Sequence, residues 1–594
     1  MDINVSCKST KTLYASYHLV KAMFETSLRY ETEGNSLNVT SAVNECQLEE
    51  IIVTVYSKNS KNKMIKAGTV KELYVRLKEF TDVELPWGML TGVRPTKLST
   101  EWILKHAAGN AAGEANTAGV AAAGATAAGE AAAAGNADED AAAFGKSGDR
   151  EAFARWIYNE RFVSEKKAEL AYDISLRELS IMQRIREGQL QAEVISDQLN
   201  GRAGTVNQTA AELSARPQKE TAGSDQGYEF LEGYSLYVGI PFCPSICSYC
   251  SFSSGSVKVY KDRIDAYIDA LCREMETAAQ RCGYGGIYPT TIYVGGGTPT
   301  ALSAGQLDRL LSRIDELFIA GQGGQLADGK VCRPLEYTVE AGRPDSITRE
   351  KLQIIKKHGV SRISVNPQTM QQRTLDLIGR AHTVEQIVDA MHVAREEGFN
   401  NINMDLIAGL PGENADDMAD TLRQIEELKP ESLTVHSLAV KRASLMGMQQ
   451  SAARAADKKR PQGAVDAENS TSSIQRDTDP VKKAAGSLMV TDAEKSIALA
   501  MEAAERMGLL PYYLYRQKSI AGNLENIGYA RPGFEGIYNM LIMEEVQSII
   551  ACGAGASTKI VFREGIPNPK RHGQITYMQR YENVKNIDEY IKRY

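Results

Sequence analysis

Residues 237–251 read Tyr-Val-Gly-Ile-Pro-Phe-Cys-Pro-Ser-Ile-Cys-Ser-Tyr-Cys-Ser, and this stretch decides how the chain is built. It begins as an apolar run typical of a buried strand and ends in a loop that carries Cys243, Cys247 and Cys250. With three and then two residues between them, the three thiolates can reach three corners of one iron–sulfur cube. Cubane clusters ordinarily take four thiolates, so one iron is left open. An open metal position is typical of a catalytic site rather than a structural one.

Strand-like and helical patterns alternate between residues 233 and 449, which predicts a parallel sheet flanked by helices. One helical segment carries Ile264, Tyr267, Ile268 and Leu271 at the spacing of a single helix face. The predicted fold class is α/β, a partial (β/α)6 barrel of the TIM type, in which ligands bind at the carboxyl ends of the strands. The six strand-like runs begin at Leu236, Thr291, Glu336, Arg362, Ile402 and Ser432.

Composition divides the chain of 594 residues into segments around this barrel. The peptide 84–97 is dense in Gly, Pro and aromatic residues, and either closes a small domain or docks it onto the barrel. The Ala/Gly-rich residues from about 107 to 149 can bury no core and are predicted to be disordered. The predicted segments are an N-terminal α+β module (1–102), a low-complexity Ala/Gly-rich insertion (103–149), a helical segment (150–196), a linker (197–232), the barrel (233–449), a low-complexity linker (450–490) and a substrate-proximal C-terminal extension (491–594).

Overall composition excludes several classes of protein. A net charge of −7 and the lack of basic runs argue against a nucleic-acid partner. No run approaches the ~18 apolar residues of a membrane span, and the first residues do not resemble a signal peptide. Nine cysteines, three of them clustered and the others scattered, fit a reducing cytoplasm better than a disulfide framework. We therefore expect a cytoplasmic protein, and a monomer.

Polar residues follow the predicted strand ends. Alone, each has an ordinary explanation, such as a solvated strand end or a helix-terminal charge. Together, and after a three-cysteine loop, they favour a site for a polar ligand such as a nucleoside with an amino-acid tail. The strand-end candidates are Gly295-Gly-Gly-Thr-Pro-Thr after the second strand, Glu340 after the third, Gln368 followed by Arg380 and His382 after the fourth, Asp405 after the fifth and Ala439 after the sixth.

The spacing of Cys243, Cys247 and Cys250, with Tyr249 before the last cysteine, is the signature of radical S-adenosylmethionine (SAM) enzymes. Longer runs resemble the oxygen-independent coproporphyrinogen III oxidases, and two further peptides resemble the HemZ-type branch of that group. The runs that carry the family resemblance are 236–243, 295–300, 378–383 and 405–412, and the branch peptides are 86–97 and 512–529.

The resemblance implies a set of cofactors and roles. The three cysteines would bind a [4Fe-4S] cluster whose open iron takes SAM, and Gly296, Gly297 and Thr298 would hold its methionyl part. Tyr237, Glu340 and Arg380 would be catalytic. The residues that would line the cofactor are Tyr237, Tyr249, Glu340, Gln368, Arg380, Asp405 and Ala439.

The resemblance also implies a reaction. One electron from an unidentified donor would cleave SAM to a 5′-deoxyadenosyl radical, which takes a hydrogen from a propionate of coproporphyrinogen III. The substrate radical would then lose CO2 and one electron, which leaves a vinyl group. Two such rounds would give protoporphyrinogen IX. The protein would bind, orient and protect the reacting groups while the cofactor performs the difficult step.

Two alternatives stay open. The family's oxidases carry a further cysteine where this chain has Phe252, and related haem chaperones lack it, so the partner is either a porphyrinogen or haem. Those chaperones usually carry a His-Asn-x-x-Tyr-Trp peptide where this chain has Tyr538-Asn-Met-Leu-Ile-Met, which favours the oxidase. A structural zinc site would need only the three thiolates and His382 or His436. The cysteine spacing and the Gly-Gly-Gly-Thr-Pro peptide disfavour zinc.

Overall fold

A computed structural model of the chain defines the elements below. Sequence predictions for Phe252, for residues 115–147 and for the linkers at 197–230 and 450–490 lie outside the described residues. The described residues are 2–7, 10–27, 38–43, 51–56, 63–90, 94–114, 148–186, 231, 233–251, 254–284, 288–320, 334–441, 444–449, 492–516, 524–569 and 573–594.

A four-stranded sheet and two helices form the predicted N-terminal α+β module, which is confirmed. Its strand order is β2-β1-β3-β4, and within it β1 and β2 are parallel. Alternate residues of β3, Ile51, Val53 and Val55, are buried in a core of their own, as expected for a half-buried strand. The elements are β1 (Asp2–Cys7), α1 (Thr10–Ser27), β2 (Asn38–Val43), β3 (Ile51–Tyr56), β4 (Lys63–Ala67) and α2 (Val70–Thr81).

Three helices follow, and they belong to the main hydrophobic core. They are α3 (Thr96–Glu114), α4 (Asp149–Arg161) and α5 (Glu165–Arg186). Trp102, Phe153 and Tyr172 from these three helices pack ring against ring. Helix α3 continues to Glu114, so the prediction of disorder from about residue 107 was wrong for residues 107–114. In this stretch the high helix propensity of alanine outweighs the cost of two glycines.

The barrel region contains all six predicted strands. The apolar helix face predicted from Ile264, Tyr267, Ile268 and Leu271 is buried. The elements are β5 (Tyr234–Ile240), β6 (Phe242–Cys243), β7 (Gly255–Ser256), α6 (Val257–Tyr260), α7 (Ile264–Tyr284), β8 (Pro289–Gly296), α8 (Ala304–Ile314), β9 (Glu336–Glu340), α9 (Arg349–Lys357), β10 (Arg362–Ser364), α10 (Gln372–Leu377), α11 (Val384–Glu396), β11 (Ile402–Ala408), α12 (Ala415–Leu428) and β12 (Ser432–Ser437).

The six predicted strands lie side by side in the order β5-β8-β9-β10-β11-β12, and every neighbouring pair is parallel. The α/β prediction of a partial barrel is thereby confirmed. Parallel pairing brings the carboxyl ends of all six strands to one edge, where the predicted site residues follow them.

The C-terminal residues extend this sheet at both edges. Next to β12 lie β14 and then β13, both in antiparallel pairing, while β15 pairs in parallel with β5 and continues into the β16–β17 hairpin. The domain boundaries given above stay predictions. The elements are α13 (Ala493–Arg506), β13 (Leu510–Tyr515), β14 (Asn526–Ala530), α14 (Ile537–Glu544), β15 (Ser548–Cys552), β16 (Ser557–Pro567), β17 (Ile575–Glu582) and α15 (Ile587–Arg593).

Helix α14 contacts the neighbouring strands β5 and β8 and also β13, which lies at the far edge of the sheet, so the sheet curves around the helix. Tyr538 of α14 stacks on Tyr293 of β8 with ring centroids 4.4 Å apart. None of the helices in the described part of the chain combines the length and the apolar character that crossing a membrane requires.

The peptide 84–97 contacts the C-terminal region, which favours the docking alternative. The buried indole of Trp87 donates from Nε1 to Glu525 Oε2 at 2.7 Å, and Lys167 pairs with the same fully buried carboxylate. Arg94 donates to Met543 O at 2.7 Å.

We expect Trp87→Phe to lower the free energy of unfolding by about 1.5–3 kcal/mol, the usual range for a hydrogen bond to a charged group. The phenyl ring keeps most of the packing, but it cannot donate to Glu525, whose carboxylate is then left with Lys167. Urea unfolding followed by circular dichroism measures the change. Trp156→Phe, on a side chain 39% exposed, is the matched control, and equal stability of the two variants would refute the docking role.

Candidate active site

The cysteine loop follows β5 and is shaped by the protein's own backbone. Ser248 N donates to Ile378 O at 3.0 Å, and Met446 N donates to Ser248 O at 2.9 Å. Within the loop, Cys250 N donates to Cys247 O at 3.1 Å, and the short strands β6 and β7 pair across its base. Among the described residues, the three predicted ligand cysteines form no disulfide. The loop is therefore held from two later segments of the barrel.

The Gly-Gly-Gly-Thr-Pro turn after β8 packs directly on the strand that leads into the cysteine loop. Gly297 N donates to Ile240 O and Thr298 N donates to Phe242 O, both at 2.7 Å. A Cβ atom on Gly297 would lie 2.6 Å from Phe242 O, so glycine is required there by the chain itself. Thr298 Oγ1 lies 3.6 Å from Cys243 Sγ. The turn thus brings Thr298 to the first predicted ligand.

Glu340 ends β9 and faces the same turn. Its carboxylate accepts from Tyr293 Oη at 2.5 Å and from Gly296 N at 3.2 Å. Burial raises the pKa of Glu340 to about 7; the two hydrogen bonds act against this shift, and the nearby charge of Asp405 adds to it. Glu340 therefore exchanges a proton in the physiological range.

Arg380 joins the cysteine loop to the strand ends. Its Nη2 donates to Gly342 O at 2.9 Å and to Asn366 O at 2.5 Å, while Nη1 donates to Tyr249 Oη at 3.1 Å. The same Nη1 lies 4.0 Å from Cys247 Sγ. Its Nε is buried and has no hydrogen-bond partner among the described residues. One donor of a fixed guanidinium is thus available to a bound group.

Gln368 and Asp405 are brought together by their backbones. Gln368 N donates to Asp405 O at 2.9 Å, and Gln368 has a φ of +70°, which is uncommon outside glycine. The side chain of Asp405 accepts from Asn403 Nδ2 at 2.7 Å. Backbone strain of this kind persists where the surrounding structure fixes it and is frequent at functional sites.

The two remaining candidates lie at the margins of this group. The Tyr237 ring is roughly parallel to that of Tyr293, with centroids 6.3 Å apart. Ala439 packs against a small apolar cluster formed by Ala493 and Leu524. The structure thus places Tyr237 beside Tyr293, the hydrogen-bond partner of Glu340, and Ala439 next to C-terminal residues.

Sequence reasoning missed two side chains that contact the predicted site. Tyr293 holds Glu340, and Arg343 donates from Nη1 towards Cys247 Sγ at 3.8 Å. A signal for Arg343 was present, because a cation stands directly after a strand end in Glu340-Ala-Gly-Arg-Pro-Asp. Tyr293 gave no signal, since an aromatic residue within a strand is most often core.

The donor set fits an iron–sulfur cluster. Three thiols come from one loop, and the guanidinium groups of Arg343 and Arg380 beside Cys247 offset the negative charge that thiolate ligands carry. In the described ranges, no group of three or more His, Cys, Asp or Glu side chains converges on a single metal ion; a cubane cluster takes one thiolate at each iron, so its ligands need not converge on one ion.

Comparison with known proteins identifies the class. The sequence model of the Radical SAM superfamily matches residues 237–425, which span β5 to α12. The barrel is therefore a radical SAM domain, and proteins of this superfamily use a [4Fe-4S] cluster and SAM. The predicted class and cofactors are confirmed.

Within the superfamily, the chain is similar to proteins that are named for porphyrin or haem. It is 40% identical over 367 residues to the oxygen-independent coproporphyrinogen-III oxidase-like protein HemZ of Bacillus subtilis (strain 168), covering 62% of this chain and 64% of HemZ. The heme chaperone HemW of that organism is 36% identical over 206 residues, 35% of this chain and 50% of HemW. The oxygen-independent coproporphyrinogen III oxidase of Escherichia coli (strain K12) is 33% identical over 205 residues, 34% and 42%. The chain thus matches less than two thirds of the length of these relatives.

Proposed function

We propose that this chain is an oxygen-independent coproporphyrinogen III dehydrogenase, which converts two propionate side chains to vinyl groups and gives protoporphyrinogen IX. The observation that carries the proposal is the cysteine loop, packed at one end of the barrel against the Gly-Gly-Gly-Thr-Pro turn and Arg380. Two of the relatives described above are named for coproporphyrinogen oxidation, one as an oxidase and one as oxidase-like.

In this proposal, Cys243, Cys247 and Cys250 hold the [4Fe-4S] cluster, and the other strand-end residues hold SAM. When bound, the cluster and SAM supply one-electron reduction and hydrogen-atom abstraction. The lining residues are Tyr237, Tyr249, Gly296, Gly297, Thr298, Glu340, Gln368, Arg380, Asp405 and Ala439.

Two side chains have chemistry that suits the proposed roles. Arg380 is fixed by two backbone carbonyls, so its free Nε can orient a carboxylate of SAM or of the substrate. Glu340 can accept a hydrogen bond when ionised and can hold a proton when neutral, because its pKa lies at about 7. Tyr237 lies beside the Glu340–Tyr293 pair and completes the proposed catalytic set.

The experiment uses the full chain, purified without oxygen and analysed for iron, sulfide and zinc. It is then incubated with a chemical reductant and SAM, with and without coproporphyrinogen III. We expect about four iron atoms per chain, 5′-deoxyadenosine, and protoporphyrinogen IX in the reactions with substrate. Zinc without iron would refute the cluster, whereas SAM cleavage without any decarboxylated porphyrinogen would refute the substrate. Cells would have to supply a low-potential electron donor, and we propose that a monomer is the active unit.

A haem chaperone is the second candidate, and the 36% identity to HemW favours it. A chaperone would bind haem stoichiometrically and release no decarboxylated product. Titration with haem, followed by visible absorption, tests this alternative in the same preparation. Tight haem binding together with no turnover of coproporphyrinogen III would assign the chain to the chaperones.

A further inference from the structure

Arg343 lies directly behind Cys247, in the loop after β9. Its side chain is only 3% exposed, and Cys247 is 8% exposed. The Arg343 Nη1 donates to Ser245 O at 3.2 Å and points towards Cys247 Sγ at 3.8 Å. A buried cation therefore lies next to a predicted cluster ligand.

The guanidinium of Arg343 is fixed in this position. Asp345 accepts from Nε at its Oδ1 and from Nη2 at its Oδ2, both at 3.0 Å. Nη2 also donates to Ser245 Oγ at 3.1 Å. A planar group held by bidentate bonds cannot turn its charge away from Cys247 when the charge on the loop changes. Asp345 is 17% exposed, so solvent screens its charge more than that of Arg343.

Two other side chains that can carry charge lie beside this group. Arg380 adds a second fixed positive charge, because its Nη1 lies 4.0 Å from Cys247 Sγ and the guanidinium is held by two backbone carbonyls and Tyr249. His382 is fully buried, and burial together with both guanidinium groups lowers its pKa to about 3. Neutral His382 adds no charge at working pH, so the net charge of the side chains near Cys247 depends on the two arginines and Asp345.

We propose that Arg343 is a positioning residue that acts through Cys247 to make the cluster easier to reduce. This inference rests on the proposed cluster. In the reduction, a low-potential one-electron donor loses one electron and the cluster with its thiolates gains one negative charge, while no bond forms or breaks and no proton moves. A fixed positive charge in a poorly screened position stabilises the more negative state and raises the reduction potential.

The test compares the wild-type full chain with Arg343→Gln and Arg343→Lys, each purified without oxygen and assayed for iron. The fraction of reduced cluster is measured by electron paramagnetic resonance during a redox titration in the absence of SAM. We expect Arg343→Gln to keep its iron. At a fixed potential, its ratio of reduced to oxidised cluster should be about one tenth of the wild-type ratio, as loss of one poorly screened charge predicts. Arg343→Lys should recover most of that ratio. Arg395→Gln is the control. It removes an arginine of α11 that pairs with Glu431, and it should not change the ratio.

An unchanged ratio in Arg343→Gln would overturn the inference. So would loss of iron from Arg343→Gln with a wild-type ratio in its remaining clusters, because Arg343 would then only hold the loop. If Arg343→Gln does not fold, Asp345→Asn is measured in its place. Removal of the Asp345 charge, which offsets that of Arg343, should raise the ratio of reduced to oxidised cluster, and no rise would overturn the inference. A wild-type protein that assembles no iron–sulfur cluster would instead refute the proposed function.

Discussion

Cys247→Ala is expected to abolish SAM cleavage and to remove nearly all iron from the protein. Cys247 is the middle one of three thiols in one loop, and its Sγ is the atom that both Arg343 and Arg380 approach. Two remaining thiolates would hold only two corners of the cube, and a cluster normally takes more. Iron and sulfide content after anaerobic reconstitution, with 5′-deoxyadenosine as the product measured, checks this expectation.

Cys552→Ala is the matched control. Cys552 is also a buried free thiol, but it lies on β15 beside Val238 of β5 and is outside the proposed ligand set. Its removal should cost about 1 kcal/mol of stability through the small cavity left behind, with full iron content and full SAM cleavage. Iron retention and turnover in Cys247→Ala, or their loss in Cys552→Ala, would contradict the assigned ligands.

The parallel half of the sheet was predictable because each strand is a short apolar run bounded by turn residues. The run from Ile402 to Ala408 is an example, with six of its seven residues buried and a helix on either side. The edges of the sheet were not predictable. Ser548 of β15 pairs with Tyr234 of β5, so the contact joins the first strand of the barrel to the C-terminal extension. No local pattern marks such a distant partner.

The candidate site, like the sheet, was predictable from the sequence only in part. Cysteine spacing and strand ends indicated which residues belong to it, because parallel strands bring their carboxyl ends to one edge. The contacts between side chains were not indicated. Arg343 reaches Cys247 across nearly one hundred positions of sequence, and Tyr293 reaches Glu340 from the neighbouring strand. Such pairs depend on register and side-chain direction, which a single sequence does not specify.

Glu340 is expected to titrate near pH 7, and this has a consequence for stability. Burial raises its folded-state pKa from 4.5 to about 7. A carboxyl with a raised pKa binds more protons when folded, so its contribution to stability is fully present below pH 4.5 and is lost as the pH rises through 7. The loss amounts to about 3 kcal/mol. Relative to Glu340→Gln, the wild-type protein should therefore lose stability between pH 4.5 and 7, as measured by urea unfolding at a series of pH values.

Tyr293→Phe tests the cause of this behaviour. The Tyr293 hydroxyl donates to Glu340 and holds its pKa below the value that burial alone would give. Without that donor, the carboxyl should titrate at higher pH, and infrared difference spectra should show the protonated carboxyl persisting further into the alkaline range. A signal that is also present in Glu340→Gln would belong to another buried acid. Identical titrations of wild type and Tyr293→Phe would contradict the role of the tyrosine.

The same titration should govern cofactor affinity if Glu340 lines the SAM site. SAM carries an ammonium group and hydroxyl donors, and an ionised carboxylate accepts their hydrogen bonds more strongly than a neutral one does. Affinity measured by equilibrium dialysis on the reconstituted protein should therefore rise as the pH passes through about 7. The rise should move to higher pH in Tyr293→Phe and disappear in Glu340→Gln. A pH dependence that survives in Glu340→Gln would place the titrating group elsewhere and would remove Glu340 from the proposed cofactor contacts.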